Sequence, residues 1–251
     1  MKPRRFFVED EPLRPGELLL SGKRAHHLTR VLRLRVGEPV ELFDGSGREF
    51  PAEILEVGRQ LIRFKVCSGK RVDRESPLNL MLALGISRPS IMDLIVQKAT
   101  ELGVNEIVPI QTERAQGWLS GKKDLSRIKR WGRIAQEAAR QSGRNVFPRI
   151  WPLTDYLQLL QQTENKEVKL FCWEEEKKES LRQALEVKGR ARQACVLIGP
   201  EGGFSEKEAE EAASAGFQSV SLGRRILRTE TAAILVIGLV QYELGDLSLW
   251  S

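Results

Sequence analysis

Residues 194–216 read ACVLIGPEGGFSEKEAEEAASAG. Ala194 to Ile198 is wholly apolar, where a strand with one wet face would alternate, so the pattern predicts a strand covered on both faces. The strand leaves through Gly199-Pro200-Glu201-Gly202-Gly203. Ser205 with Glu208 three positions on makes a capping box for a helix that Gly216 closes. Strand, loop and helix in that order are half of a βαβ unit and predict an α/β domain with parallel pairing. The loop itself is unlike a phosphate cradle. A helix N-terminus is electropositive and phosphate loops leave it free for an anion, whereas this one carries its own carboxylate, Glu201. The ligand it suggests is not a polyphosphate.

The same rhythm extends in both directions. Leu78 to Ile86 (LNLMLALGI) is a second buried strand. Ser90 with Asp93 reads as the capping box of a helix whose Ile91, Leu94, Ile95 and Leu102 share a face and which stops at Gly103. Glu106 to Ile110 and Val168 to Trp173 are further strands, and Leu125 to Gly143 is a helix with Trp131 and Ala135 toward the core. After Val168–Trp173 the run EEEKKES reads as a charged connector without chemistry. QSVSL leads to Gly223, and from Thr229 the apolar TETAAILVIGLVQYEL makes the closing helix. Loops that leave parallel strands at their carboxyl ends are where ligands bind. On that rule GPEGG and GRRILRTET, each following a strand and each opening a helix, form one pocket.

Upstream of Cys67 the text changes. Phe6 to Val8, Glu17 to Leu20, Val40 to Phe43, Glu49 to Val57 and Leu61 to Val66 are short strands, with Asp44 to Gly47 as a hairpin turn. So many short strands predict a small barrel. One helix interrupts them, Ala25 to Leu34, with Leu28, Val31 and Leu32 on one face and Arg30, Arg33 and Arg35 elsewhere. The polar CSGKRVDRESP from Cys67 to Pro77 is the linker. The domains expected are therefore 1–70, a β-barrel, and 71–251, the α/β domain.

Composition narrows the function classes. Apolar residues make up 41%, enough for ordinary soluble domains, and 40 Lys and Arg against 34 Asp and Glu give a net charge of +6, which favours a polyanionic partner. Nine basic residues against two acidic ones lie between Gly121 and Arg149, among them Arg140 and Arg144. The three cysteines form no CxxC pair and read as small buried hydrophobes, so neither disulfides nor a metal site is expected. No secretion signal or membrane-length apolar run occurs, which makes a cytoplasmic protein the expectation. Neither GxGxxG nor GxxxxGK[ST] is present, so the commonest nucleotide folds are disfavoured.

Five blocks carry a resemblance: AHHLTRVLRLRVGEPVELFDG, MDLIVQKATELGVNEIVPI, RWGRIAQEAARQSGRN, IGPEGGFSEKE and LGRRILRTETAA. In this order the chain resembles the RsmE-type 16S ribosomal RNA uridine-N3 methyltransferases of the SPOUT superfamily almost end to end. The resemblance implies a PUA-like or OB-like barrel followed by a SPOUT domain whose last part is threaded as a trefoil knot. It implies S-adenosylmethionine (SAM) as cofactor, small-subunit ribosomal RNA as partner, a homodimer, no metal and no membrane. One departure is local: relatives commonly carry Lys-Gly-Asp-Arg or similar where this chain has Ser87-Arg88-Pro89-Ser90-Ile91.

Matched block by block, Leu197, Ile198, Gly199, Pro200, Glu201 and Gly202 form one wall of the cofactor site, and Leu222, Gly223, Ile226, Leu227, Arg228 and Thr231 the other. Methylating uridine N3 requires removing an imide proton and aligning the nitrogen behind the methyl group. Glu201 or Glu230 is expected to take the proton and Arg228 to stabilise charge on the uracil carbonyls, with Lys98 as a lesser participant. Arg30, Arg33, Arg35, Arg140 and Arg144 are the expected phosphate contacts, whereas His26 and His27 read as packing or capping residues. The competing readings are a noncatalytic RNA-binding or ribosome-assembly factor and a SPOUT enzyme acting on transfer RNA or a ribose 2′-hydroxyl.

Overall fold

Side-chain alternation builds the N-terminal sheet. The computed structural model describes residues 3–8, 12–22, 25, 34–115, 122–186 and 191–248, the side chains of 122–124 aside. Strands β1 (Arg4–Phe7), β2 (Gly16–Ser21), β3 (Pro39–Phe43), β4 (Arg48–Val57), β5 (Leu61–Val66) and β6 (Lys70–Arg71) pair in the order β1-β3-β4-β5-β2, with β6 on β4. In β5, Ile62, Phe64 and Val66 are buried while Arg63 and Lys65 between them are not. Phe6, Leu42, Ile54 and Phe64 share one core with Leu18 and Leu20 of β2. Strands from both ends of the pairing order feed that core, so the sheet curls around it as a small barrel. Most of the helix expected from Ala25 to Leu34 lies outside the described residues; Ala25 and Leu34 themselves are buried in the barrel core.

The chain divides into two compact units, residues 1–74 with 139–146 and residues 75–138 with 147–251. What ties 139–146 into the first unit is a polar cluster around Glu49, which is 1% exposed. Arg5 donates to Asn145 Oδ1 (2.5 Å) and to the Arg140 carbonyl (3.1 Å). Asn145 Nδ2 donates to Glu49 Oε1 (3.1 Å), and Arg74 bonds both Glu49 and the Gly143 carbonyl.

The second unit is built on a parallel sheet. Its strands are β7 (Asn79–Gly85), β8 (Glu106–Gln111), β9 (Arg149–Ile150), β10 (Thr154–Asp155), β11 (Val168–Cys172), β12 (Gln193–Ile198) and β13 (Gln218–Val220). Their order is β10-β8-β7-β12-β11-β13, with β9 on β8, and every pairing is parallel. Helices cover both faces, so the strands are apolar on both. Leu80, Leu82 and Leu84 pack with α1 (Pro89–Glu101), α2 (Lys122–Ser142) and α6 (Thr229–Leu244) through Met92, Val96, Trp131, Val236 and Ile237. Met81, Ala83, Cys195 and Leu197 face α3 (Tyr156–Gln162) and α5 (Glu206–Ser214) through Leu159, Ala209 and Ala212. A sixth short helix, α4 (Leu181–Glu186), adds Leu181 and Leu185 to the first of these cores.

Two local expectations need correction. No Ser90–Asp93 capping box forms: α1 begins at Pro89 with Arg88 as its cap residue and no side-chain cap bond. Proline suits the first helical position because its φ is already helical and its missing N–H needs no partner there. That leaves Ser90 inside the first turn. Cys67, expected buried, is exposed, while Cys195 is buried.

Candidate functional site

Parallel strands bring their carboxyl ends to one edge, and a cavity opens there. The ends of β11 (Cys172, Trp173, Glu174), β12 (Ile198, Gly199, Pro200, Gly203) and β13 (Val220 to Leu227) line it, with Thr229 and Ala232 of α6. The chain reverses its direction of travel across the sheet between β7 and β12, to one side of this cavity, which is lined from β12, β11 and β13. The approach there is close. A Cβ on Gly85 would fall 2.5 Å from the nitrogen and the Cδ of Pro200, so only glycine at the end of β7 lets the GPEGG loop lie against it. Gly203 suits its place because its φ is +68°, the left-handed region that favours glycine.

Of the residues expected from sequence, Ile198, Gly199, Pro200, Leu222, Gly223, Ile226 and Leu227 line this cavity. Leu197 does not. Strand alternation turns it to the opposite face, where it is fully buried with Met81 and Phe204. Glu201 and Gly202 also point elsewhere. Glu201 Oε1 accepts from the Arg88 N–H (3.3 Å) and pairs with Arg88 Nε (3.3 Å), and the Gly202 carbonyl accepts from Arg114 Nη1 (3.4 Å). Arg228 caps α6 and is exposed, and Thr231 is exposed in its first turn. Glu230 lies beside them with its Oε2 buried and without a hydrogen-bond partner among the described residues. Glu201, Arg228 and Glu230 are thus chain neighbours of lining residues without lining the cavity. Trp173, Glu174 and Ser221 were not anticipated, and Arg224 and Arg225 only as members of the GRRILRTET loop. A signal for the first two was present, because they directly follow a buried parallel strand and must emerge at the binding edge.

Burial pushes the Glu201 carboxyl up. Hydrogen bonds from its own N–H, the Arg88 N–H and the Ser87 hydroxyl, with the charge of Arg88, outweigh this and hold it below the usual range. It stays an anion and a weak proton acceptor. Lys98 is engaged with Glu101 (2.8 Å). Glu174, Arg224 and Arg225 are exposed and have no hydrogen-bond or ion-pair partner among the described residues.

The expected phosphate contacts divide. Arg30 and Arg33, like His26 and His27, lie outside the described residues, and Arg35 is exposed. Arg140 is half-buried. Arg144 is only 4% exposed, so its side chain faces protein rather than a phosphate arriving from solvent, which corrects that expectation.

The lining suits a SAM-like molecule. Glycine and proline backbone with Ile198, Leu222, Ile226 and Leu227 presents flat, uncharged surface to an aromatic ring, and backbone groups can read its edges. The charged lining is one carboxylate and two guanidinia. Among the described residues no group of three His, Cys, Asp or Glu could hold a metal, and no helix is long and apolar enough to cross a membrane.

Comparison with known proteins agrees with this geometry. Residues 74–241 match a family model described as an RNA methyltransferase domain, and residues 20–67 one described as an RNA methyltransferase PUA domain. The chain is 32% identical over 228 residues to ribosomal RNA small subunit methyltransferase E of Bacillus subtilis, covering 89% of each chain. It is 30% identical to the enzyme of the same description from Buchnera aphidicola, covering 96% of this chain and 94% of the other. Among solved structures, the ribosomal RNA small subunit methyltransferase E of Neisseria gonorrhoeae bound to SAM superposes with a TM-score of 0.88 at 33% identity, over 98% of this chain and 100% of that one.

Proposed function

The chain belongs to the ribosomal RNA small subunit methyltransferase E family, and from that premise we propose that it methylates N3 of a uridine in small-subunit (16S) ribosomal RNA with SAM as donor. The observation that carries this reading is the cavity closed by the GPEGG and LGRRIL loops at the carboxyl edge of the parallel sheet. When bound, SAM supplies an electrophilic methyl group on a sulfonium sulfur.

Ile198, Gly199, Pro200, Leu222, Gly223, Ile226 and Leu227 hold the donor. The imide proton of uracil must leave as the nitrogen attacks. Glu230 has a buried carboxylate oxygen with no donor on it among the described residues and is the stronger candidate for accepting that proton. Glu201, held anionic, fixes Arg88 and the two loops at the switch point instead. Arg228 offers its exposed guanidinium to charge developing on the uracil carbonyl oxygens. Residues 1–70 serve as the RNA-binding barrel and residues 71–251 as the catalytic domain, with the C-terminal part threaded as a trefoil knot. The enzyme works in the cytoplasm as a homodimer.

Nucleoside mass spectrometry tests the activity. Small-subunit ribosomal RNA, free or in assembled subunits, incubated with the purified protein and SAM gains N3-methyluridine. A 2′-O-methyl product, or no product on either substrate, refutes the reading.

A further inference from the structure

A second cavity, of about 210 Å³, opens between α1 and α2 and shares no lining residue with the donor cavity among the described residues. Ile86, Met92 and Trp131, all buried, form its floor. Three charged side chains line it as well. Arg130 grips Asp93, with its Nε 3.1 and 3.0 Å from Oδ1 and Oδ2 and its Nη2 also on Oδ2, so these two neutralise each other. Arg127 is half-buried and has no hydrogen-bond or ion-pair partner among the described residues. The cavity therefore carries one uncompensated positive charge beside an apolar floor. A cation drawn partly out of water gives up hydration that no counter-charge here returns, and an anion bound in the cavity would supply it.

The two cavities are linked through one loop. Ser87 lines the second and gives its hydroxyl to Glu201, the residue after Pro200, which lines the first. We propose that Arg127 is a positioning residue that holds a backbone phosphate of the substrate RNA in the second cavity, so that the strand runs past the GPEGG loop and brings its uridine to the methyl group. This rests on the reading of the chain as an RNA methyltransferase and adds where the strand is anchored. The anion present in every turnover of that reaction is the phosphodiester backbone. A guanidinium takes two phosphate oxygens at once, and its planar fork fixes the strand's register without reading its sequence. Arg140 and Arg144, the contacts expected from the same basic stretch, are half-buried and buried. Arg127 stands over an open cavity instead.

Turnover and binding on the full-length chain test this with small-subunit ribosomal RNA, S-adenosylhomocysteine and inorganic phosphate as separate probes. Arg127→Ala should raise KM for the RNA by about tenfold, the scale of one charge-assisted contact, and leave kcat and S-adenosylhomocysteine affinity where they are. Arg127→Lys, which keeps the charge, should recover most of the loss. In Arg127→Ala the slope of log affinity for RNA against log salt should become shallower by about 0.7–0.9, the counter-ions released by one phosphate contact. An unchanged KM or an unchanged slope overturns the assignment. So does a loss of S-adenosylhomocysteine affinity in both variants, which would make Arg127 a support of the fold. Inorganic phosphate that binds the unaltered chain but not Arg127→Ala, while the RNA titration stays the same, gives the cavity to a free anion and overturns it as well. If the unaltered protein neither binds nor methylates the RNA, the activity proposed above fails first; methylation indifferent to Arg127 sinks this inference alone.

Discussion

Glu49 is the most heavily partnered buried carboxylate in the first unit. Burial pushes its carboxyl up, but hydrogen bonds from Arg74 and Asn145 and the charges of Arg74 and Arg5 outweigh that, so it sits below the ordinary carboxylate value. The sign follows from linkage. A group whose folded value is depressed gives stability that is complete above its unfolded value, about 4.3, and is lost as pH falls through the folded one. Stability is therefore expected to hold from neutral pH down to about pH 5 and then to decline. Glu49→Gln should cost about 2–3 kcal/mol at pH 7, because Arg5 and Arg74 lose a charged acceptor in a buried place. It should also flatten the acid limb. Urea unfolding between pH 3 and 7 measures both, and parallel curves for the two proteins would show that Glu49 contributes nothing to the acid sensitivity.

At the scale of elements, strand positions were legible because burial on both faces leaves runs such as Leu78 to Ile86, and helix ends because Gly103, Gly143 and Gly216 take positive φ. The Ser205–Glu208 capping box forms as read. Thr154–Asp155, Tyr156–Gln162 and Leu181–Glu186 were not anticipated, since two residues show no alternation and two helical turns or fewer are too short to show a repeating apolar face. Half of the cavity was legible through its glycines. Glu174 was hidden in a charged run because charge alone does not tell a solvated connector from a lining residue. The packing of 139–146 with the barrel unit was likewise invisible, as it depends on Arg5 and Asn145 meeting across 140 positions. Glu208 illustrates a further limit. Beyond the cap, its Oε1 accepts from the Glu113 N–H (2.8 Å) and its carbonyl from the Tyr156 hydroxyl (2.5 Å). Ser205→Ala should cost about 1 kcal/mol, the loss of one cap bond. Glu208→Ala should cost about 2–3 kcal/mol, because the buried Ser205 N–H and the part-buried Glu113 N–H both lose their acceptor. Thermal unfolding of the two variants ranks them, and equal losses would mean the contact with Glu113 is worth nothing.

For the whole molecule the open matter is assembly, and the closing helix bears on it. Thr229–Leu244 is apolar nearly all round, which ordinarily means a helix covered on every side. One side is covered: Ala233, Val236, Ile237 and Val240 are fully buried in the sheet core. Leu235, Leu239 and Tyr242 are not, with exposures of 37%, 40% and 53%, and their spacing of four and three sets them in one stripe. Gly238 lies between them with open space where its Cβ would be, so another backbone can approach there. Such a stripe suits a two-fold contact with a second copy, in which each residue is used twice. Under the proposed homodimer, Leu239→Glu places two carboxylates in the contact. At about 3 kcal/mol or more for the pair, dissociation should become easier by over about a hundredfold. Sedimentation at micromolar concentration should give a dimer for the unaltered chain and a monomer for the variant, with thermal stability of each protomer nearly unchanged because Leu239 lies outside the core. A monomeric unaltered chain, or a variant that remains a dimer, would move the contact away from this face.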